Sequence, residues 1–135
     1  MTRILVAYSA TLVAFCILDF IWIGFVARGF YQAQVGTLLL APPKWGVAAL
    51  FYALYVVGVV IFAVLPALEE GSWPRALVLG ALFGFFCYAT YDLTNLATLK
   101  GWTWPMAAVD ILWGMIITAS CATAGYFAAR TLGSG

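Results

Sequence analysis

"ALVLGALFGFFCYATYDLTNLAT", residues 76–98, is where the reading of the fold is decided. A helix that crosses a bilayer needs roughly 20 mostly apolar residues, the hydrocarbon thickness at 1.5 Å per residue. This stretch supplies that length. Pro74 and Arg75 stand just ahead of it, and Lys100 and Trp102 just behind. It reads as a transmembrane helix, yet it carries Asp92 and Asn95 where lipid would ordinarily be.

Working outward, three more windows of the same kind fit, at 4–27, 46–66 and 105–129. Arg3, Arg28, Lys44, Arg75, Lys100 and Arg130 sit at the window ends and never inside. Pro42 and Pro43 precede the second span, Pro66 ends it, and Pro105 opens the fourth. Proline is tolerated near a first helical turn because the N–H it lacks has no partner there. Trp45, Trp73, Trp102 and Trp104 mark the boundaries as interfacial aromatic residues do. The expected fold is all-α: an integral membrane bundle of four transmembrane helices, with both termini on one side. Residues 1–130 form its single domain. Residues 131–135 are a short tail resembling an expression-vector remnant. The first window is too long for a cleaved leader, contains Asp19 and ends in no clean cleavage site. The first loop, 28–44, holds "FYQAQVGTLLL" and reads equally as a short interfacial helix or as an ordinary ordered loop.

Composition agrees. Of 135 residues, 66% are hydrophobic and 8% charged, against about 25% charged in a soluble domain. A net charge of +1 with no basic stripe argues against a nucleic-acid partner. The chain has no histidine, which removes the commonest haem and zinc ligand and the usual base near neutral pH. Cys16, Cys87 and Cys121 lie singly inside apolar runs and read as small packing residues. No metal site and no cofactor are expected. Membrane lipids are the expected surroundings and partners, together with a homodimer or a larger membrane complex. Lysine and arginine tie at three on each side, so the amino terminus tips the orientation toward the cytoplasm. Dual insertion as an antiparallel dimer stays open.

Asp19 in "CILDFIWIG", Asp92 and Asp110 in "AAVDILWGM" sharpen the problem. Counted along antiparallel spans, they lie roughly 12, 9 and 9 Å from the boundary carrying loops one and three, at 1.5 Å per residue. All three fall in one leaflet. An ionised aspartate facing lipid costs on the order of 2.5–3.5 kcal/mol, so each should face the bundle interior. Helical spacing supports this. Gly80, Gly84, Tyr88, Tyr91, Asp92 and Asn95 share one stripe of span three. Tyr8, Thr11, Phe15, Asp19 and Trp22 share a face of span one, and Asp110, Gly114, Thr118, Cys121 and Gly125 a face of span four. Span two offers Tyr52, Tyr55 and Gly58 without a charge. "GALFG" is a small-xxx-small contact that lets helices approach closely. "DFIW" and "DILW" echo each other on antiparallel spans, the pattern an inverted repeat would leave.

The candidate polar pocket is therefore lined by Asp19, Trp22, Tyr88, Tyr91, Asp92, Thr94, Asn95, Asp110 and Trp113, with Arg28, Lys44 and Lys100 near enough to reach inward. Three uses fit it. It can bind a small ligand, ion or lipid, as transport would require. It can serve an enzyme, or an accessory to one, that modifies a fatty-acyl or isoprenoid lipid by acid–base chemistry. It can be a buried polar network that locks the helices of a structural subunit. The residues do not choose between enzyme and non-enzyme.

"LDFIWIG", "YDLTNLATLKGW" and "VDILWG", in this order within a four-span chain, resemble a family of predicted bacterial membrane proteins catalogued as domain of unknown function number two-one-seven-seven. The resemblance covers about Thr2 to Arg130. It implies a multi-pass protein of the bacterial inner (cytoplasmic) membrane. It adds weight to Asp19, Trp22, Tyr91, Asp92, Thr94, Asn95, Lys100, Asp110 and Trp113, and it implies no particular activity.

Overall fold

The computed structural model describes residues 2–26, 29–30 and 44–132. The interfacial helix expected in the first loop, Arg28, and residues 133–135 of the tail lie outside the described residues, apart from residues 29–30 and 44 of that loop. The described chain is helical, with no strand in it. Four helices are long and apolar enough to cross a membrane: α1 (Thr2–Gly24), α2 (Trp45–Glu70), α3 (Trp73–Thr98) and α4 (Trp104–Leu132).

Two of the helices widen locally into π-helix, at Trp22–Val26, which runs on past the end of α1, and at Val60–Val64 in α2. The second explains a departure from the expected boundary. Pro66 was a natural end for span two, because it has no N–H to give the carbonyl of Phe62 and its ring crowds that turn. The helix instead continues to Glu70. The wider turn just ahead of Pro66 accommodates the missing bond. The real stop is Gly71, in the left-handed region at φ 64. Its N–H donates to Leu68 O and that of Ser72 to Ala67 O, at 3.2 and 3.1 Å. This double closure satisfies the last carbonyls, and only glycine adopts that backbone without penalty. Pro74 then starts α3 within its first turn.

The most extensive packing is between α3 and α4, followed by α1 against α4. In lipid no hydrophobic force drives apolar helices together, so close fit must do it. Ala76, Gly80, Gly84, Ala89 and Asp92 are the buried residues of α3, the first three in steps of four. A Cβ on Gly80 would stand 2.9 Å from Ala119 Cα and from Thr118 O. One on Gly84 would run into the Gly114 carbonyl, and one on Gly114 into the Tyr88 ring. The "GALFG" contact is thus the crossing point of α3 on α4. Farther along α4, Gly125 admits Thr11 of α1.

The helix α2 packs unevenly. Its second half, from Val60 onward, meets α1, α3 and α4. Val60, Ala63, Val64 and Ala67 are buried there beside Ala7, Ala122 and Tyr126. Its first half, Trp45–Val59, rests on α1 and makes next to no backbone contact with α3 or α4. The bundle is closed at the end holding its termini and parted at the other.

Candidate functional site

The parted end contains a cavity of about 750 Å³, within the roughly 300–1,000 Å³ of small-molecule sites. α1 gives it Asp19, Trp22 and Ile23; α2 gives Phe51 and Tyr55; α4 gives Asp110 and Trp113. α3 contributes Phe83, Phe86, Cys87, Tyr88, Thr90 and Tyr91. The rim is apolar: Phe51 and Phe86 are 47% and 64% exposed on the two helices that part. Asp19 and Asp110, by contrast, are buried in its wall.

Asp19 is held from two sides. The Tyr52 hydroxyl donates to Oδ2, and the Trp113 indole Nε1 donates a long bond of 3.5 Å to Oδ1. Trp113 in turn stacks on Trp22, with ring centres 4.4 Å apart and planes 6° from parallel. The two "D..W" echoes of the sequence thus meet each other across α1 and α4. Tyr55 bridges the gap between α2 and the rest. Its hydroxyl and that of Thr118 are 2.8 Å apart, and its ring meets Phe83 at 5.4 Å and Tyr88 edge-on at 6.1 Å.

Asp92 is placed differently from Asp19. The ladder of α3 on α4 pairs Gly84 and then Tyr88 with Gly114. The next rung brings Asp92 against the Asp110 carboxyl and beside the Trp102 indole. Asp92 is fully buried, and neither of its oxygens completes a hydrogen bond; nor does the buried Nε1 of Trp102. Two carboxyls side by side repel when both are charged, and a single proton or a nearby cation relieves that repulsion. Asp110 is the member of the pair that reaches the cavity.

Of the residues singled out from the sequence, Asp19, Trp22, Tyr88, Tyr91, Asp110 and Trp113 line the cavity. Asp92 is sealed behind it, not on its wall. Asn95 is half-buried beside Tyr91. Thr94 lies on the exposed face of α3, its hydroxyl donating back to the carbonyls of Thr90 and Tyr91, as threonine in a helix can when nothing else offers a partner. Lys44 and Lys100 are exposed at helix ends and do not line the cavity.

Sequence reasoning put Tyr52 and Tyr55 on the inner face of span two but left them out of the pocket, and it missed Trp102. The two tyrosines stand one turn apart in an uncharged span, at the depth of the acids. Their hydroxyls needed partners there, and that was the available signal. Trp102 read as a membrane-surface residue, but it is tucked beside Asp92, its ring edge-on to Tyr91 at 5.7 Å. Cys87 lines the cavity half-buried, whereas Cys121 is fully buried packing.

Among protein families, the one described as predicted membrane protein (DUF2177) matches residues 4–127, and the chain belongs to it. No curated protein and no solved structure matches the chain.

Proposed function

We propose that this member of the DUF2177 family binds a small amphipathic ligand inside the bacterial inner membrane, taken sideways from the bilayer through the gap between α2 and α3. The observation that carries the reading is the cleft itself. Helices in lipid gain by closing on one another, yet Trp45–Val59 stands off α3 and α4 over a cavity of about 750 Å³. Its rim is apolar and two acids are buried in its wall, so it suits a molecule with an apolar body and one polar end. Binding sites of this kind pair a largely apolar wall with a few placed polar groups.

The test is retention. The protein is extracted with its surrounding lipid into polymer-bounded discs, and the bound molecules are released and weighed by mass spectrometry. Near-stoichiometric enrichment of one compound over bulk lipid is expected. Cys87→Trp, which places a bulky ring in the cleft, should abolish the enrichment while the protein stays monodisperse. Retention of nothing beyond bulk lipid, or equal retention by Cys87→Trp, removes the reading.

A second reading is supported by the Asp92–Asp110 pair. Acid–base modification of a lipid needs one carboxyl to give a proton and another to accept it, and Asp110 touches both the cavity and Asp92. Chemical change of the retained molecule by wild type, but not by Asp92→Asn, would favour this over binding alone.

A further inference from the structure

We infer that the ligand of the cleft is a lipophilic organic cation, an amine or onium group carried on an apolar body. This deepens the binding role proposed above and rests on it.

Charge is the first ground. The polar end of the cavity carries Asp19 and Asp110, and no lysine or arginine is among its described lining residues. Directly behind Asp110 lies a third carboxyl, Asp92, fully buried, and a proton shared by that pair still leaves it one negative charge. In an apolar surround the field of Asp19 and of the Asp92–Asp110 pair is weakly screened, so it disfavours a phosphate or carboxylate and favours a cation.

Hydrogen-bond capacity is the second. The donors on Asp19 come one to each oxygen, from Tyr52 and Trp113, and a carboxylate oxygen can accept two. Spare acceptors remain where the ligand's polar end would sit. An ammonium group brings up to three donors and no acceptor, while an alcohol brings a single donor to these acceptors.

The walls are the third. Trp22, Trp113, Tyr55 and Tyr88 surround the acids with aromatic rings. Ring faces attract cations, most strongly where water is excluded. Apolar, aromatic and anionic surfaces thus converge in one opening, and a lipophilic cation complements all three.

The test uses two probes of matched size and shape and opposite charge, tetraphenylphosphonium and tetraphenylborate, with a neutral long-chain alcohol as third. Each is titrated into the purified protein in lipid discs, and saturable quenching of tryptophan emission is read, since Trp22 and Trp113 line the cleft. Saturable binding of the phosphonium and none of the borate is expected in wild type. Asp110→Asn, which keeps shape and removes charge, should weaken the phosphonium about tenfold or more, the order for loss of a charged contact. The wild-type comparison of the two ions stands even if a variant fails to fold. Borate binding as tight as phosphonium, or phosphonium binding that Asp110→Asn leaves unchanged, overturns the cation. If the alcohol alone binds saturably, the cation inference fails and the binding role survives. If none of the three binds, both fail.

Discussion

Between Ala7 and Ala129, at the end holding the termini, small residues let four helices close on one another. Between Phe51 and Phe86, at the other end, two helices stand apart around aromatic rings and carboxyls. The same helices run through both ends, so helix count and hydropathy do not account for the difference. Side-chain size does. At the closed end Ala, Val and Gly let the backbones approach around the buried Tyr126; the parted end carries Trp, Tyr and Phe, which hold the backbones off. The crossing at Gly84 and Gly114 is the fulcrum between the two ends. It is also what sets Asp92 against Asp110.

The contrast breaks or sharpens under substitution. The largest effect is expected at Phe15, fully buried and edge-on to Tyr52 at 5.2 Å. Phe15→Ala should cost about 3 kcal/mol or more by leaving a void. Phe86→Ala, the same change on the exposed rim, should stay within about 0.5 kcal/mol. Equal losses of thermal stability in lipid discs would erase the distinction between packed interior and open rim.

Next come the glycines. Gly84→Ala drives a methyl into the Gly114 carbonyl, which belongs to the backbone and cannot step aside. A loss of about 1–3 kcal/mol follows. Gly114→Ala meets the Tyr88 ring instead, and that ring borders the cavity and has room to swing. The second variant should unfold at a clearly higher denaturant concentration than the first; the reverse order would mean that the crossing lies elsewhere.

Tyr52→Phe takes away one of the two donors on Asp19. About 1 kcal/mol is expected, together with a shift in the indole resonance of Trp113 as Asp19 resettles. An unchanged Trp113 signal would argue that the two groups are not linked. The smallest effect belongs to Arg75→Ala. Its ion pair with Glu70 is 2.9 Å long but half exposed on both sides, and such pairs contribute about 0–1 kcal/mol. Double-mutant measurement should find a coupling near the lower limit.

Much of this was legible in the residues. Window length, end-placed charges and boundary tryptophans determined four spans, and helical spacing put Asp19, Asp92 and Asp110 on inward faces at a common depth. These are properties of one helix in a bilayer: a charge costs the same free energy in lipid wherever the neighbouring helices stand. What the sequence left open depends on pairs of helices. That Asp92 is sealed against Asp110 while Asp19 faces the cavity follows from how far α3 and α4 interpenetrate. That Tyr52 and Trp113 reach Asp19, and that Trp102 turns inward, follows from rotations no single helix specifies. The parting of α2 from α3 arises where the rings of one helix meet the surface of another. The sequence by itself determined which groups must avoid lipid, and only the tertiary structure decided which of them share a wall, because solvation acts on each residue alone and steric fit acts between partners.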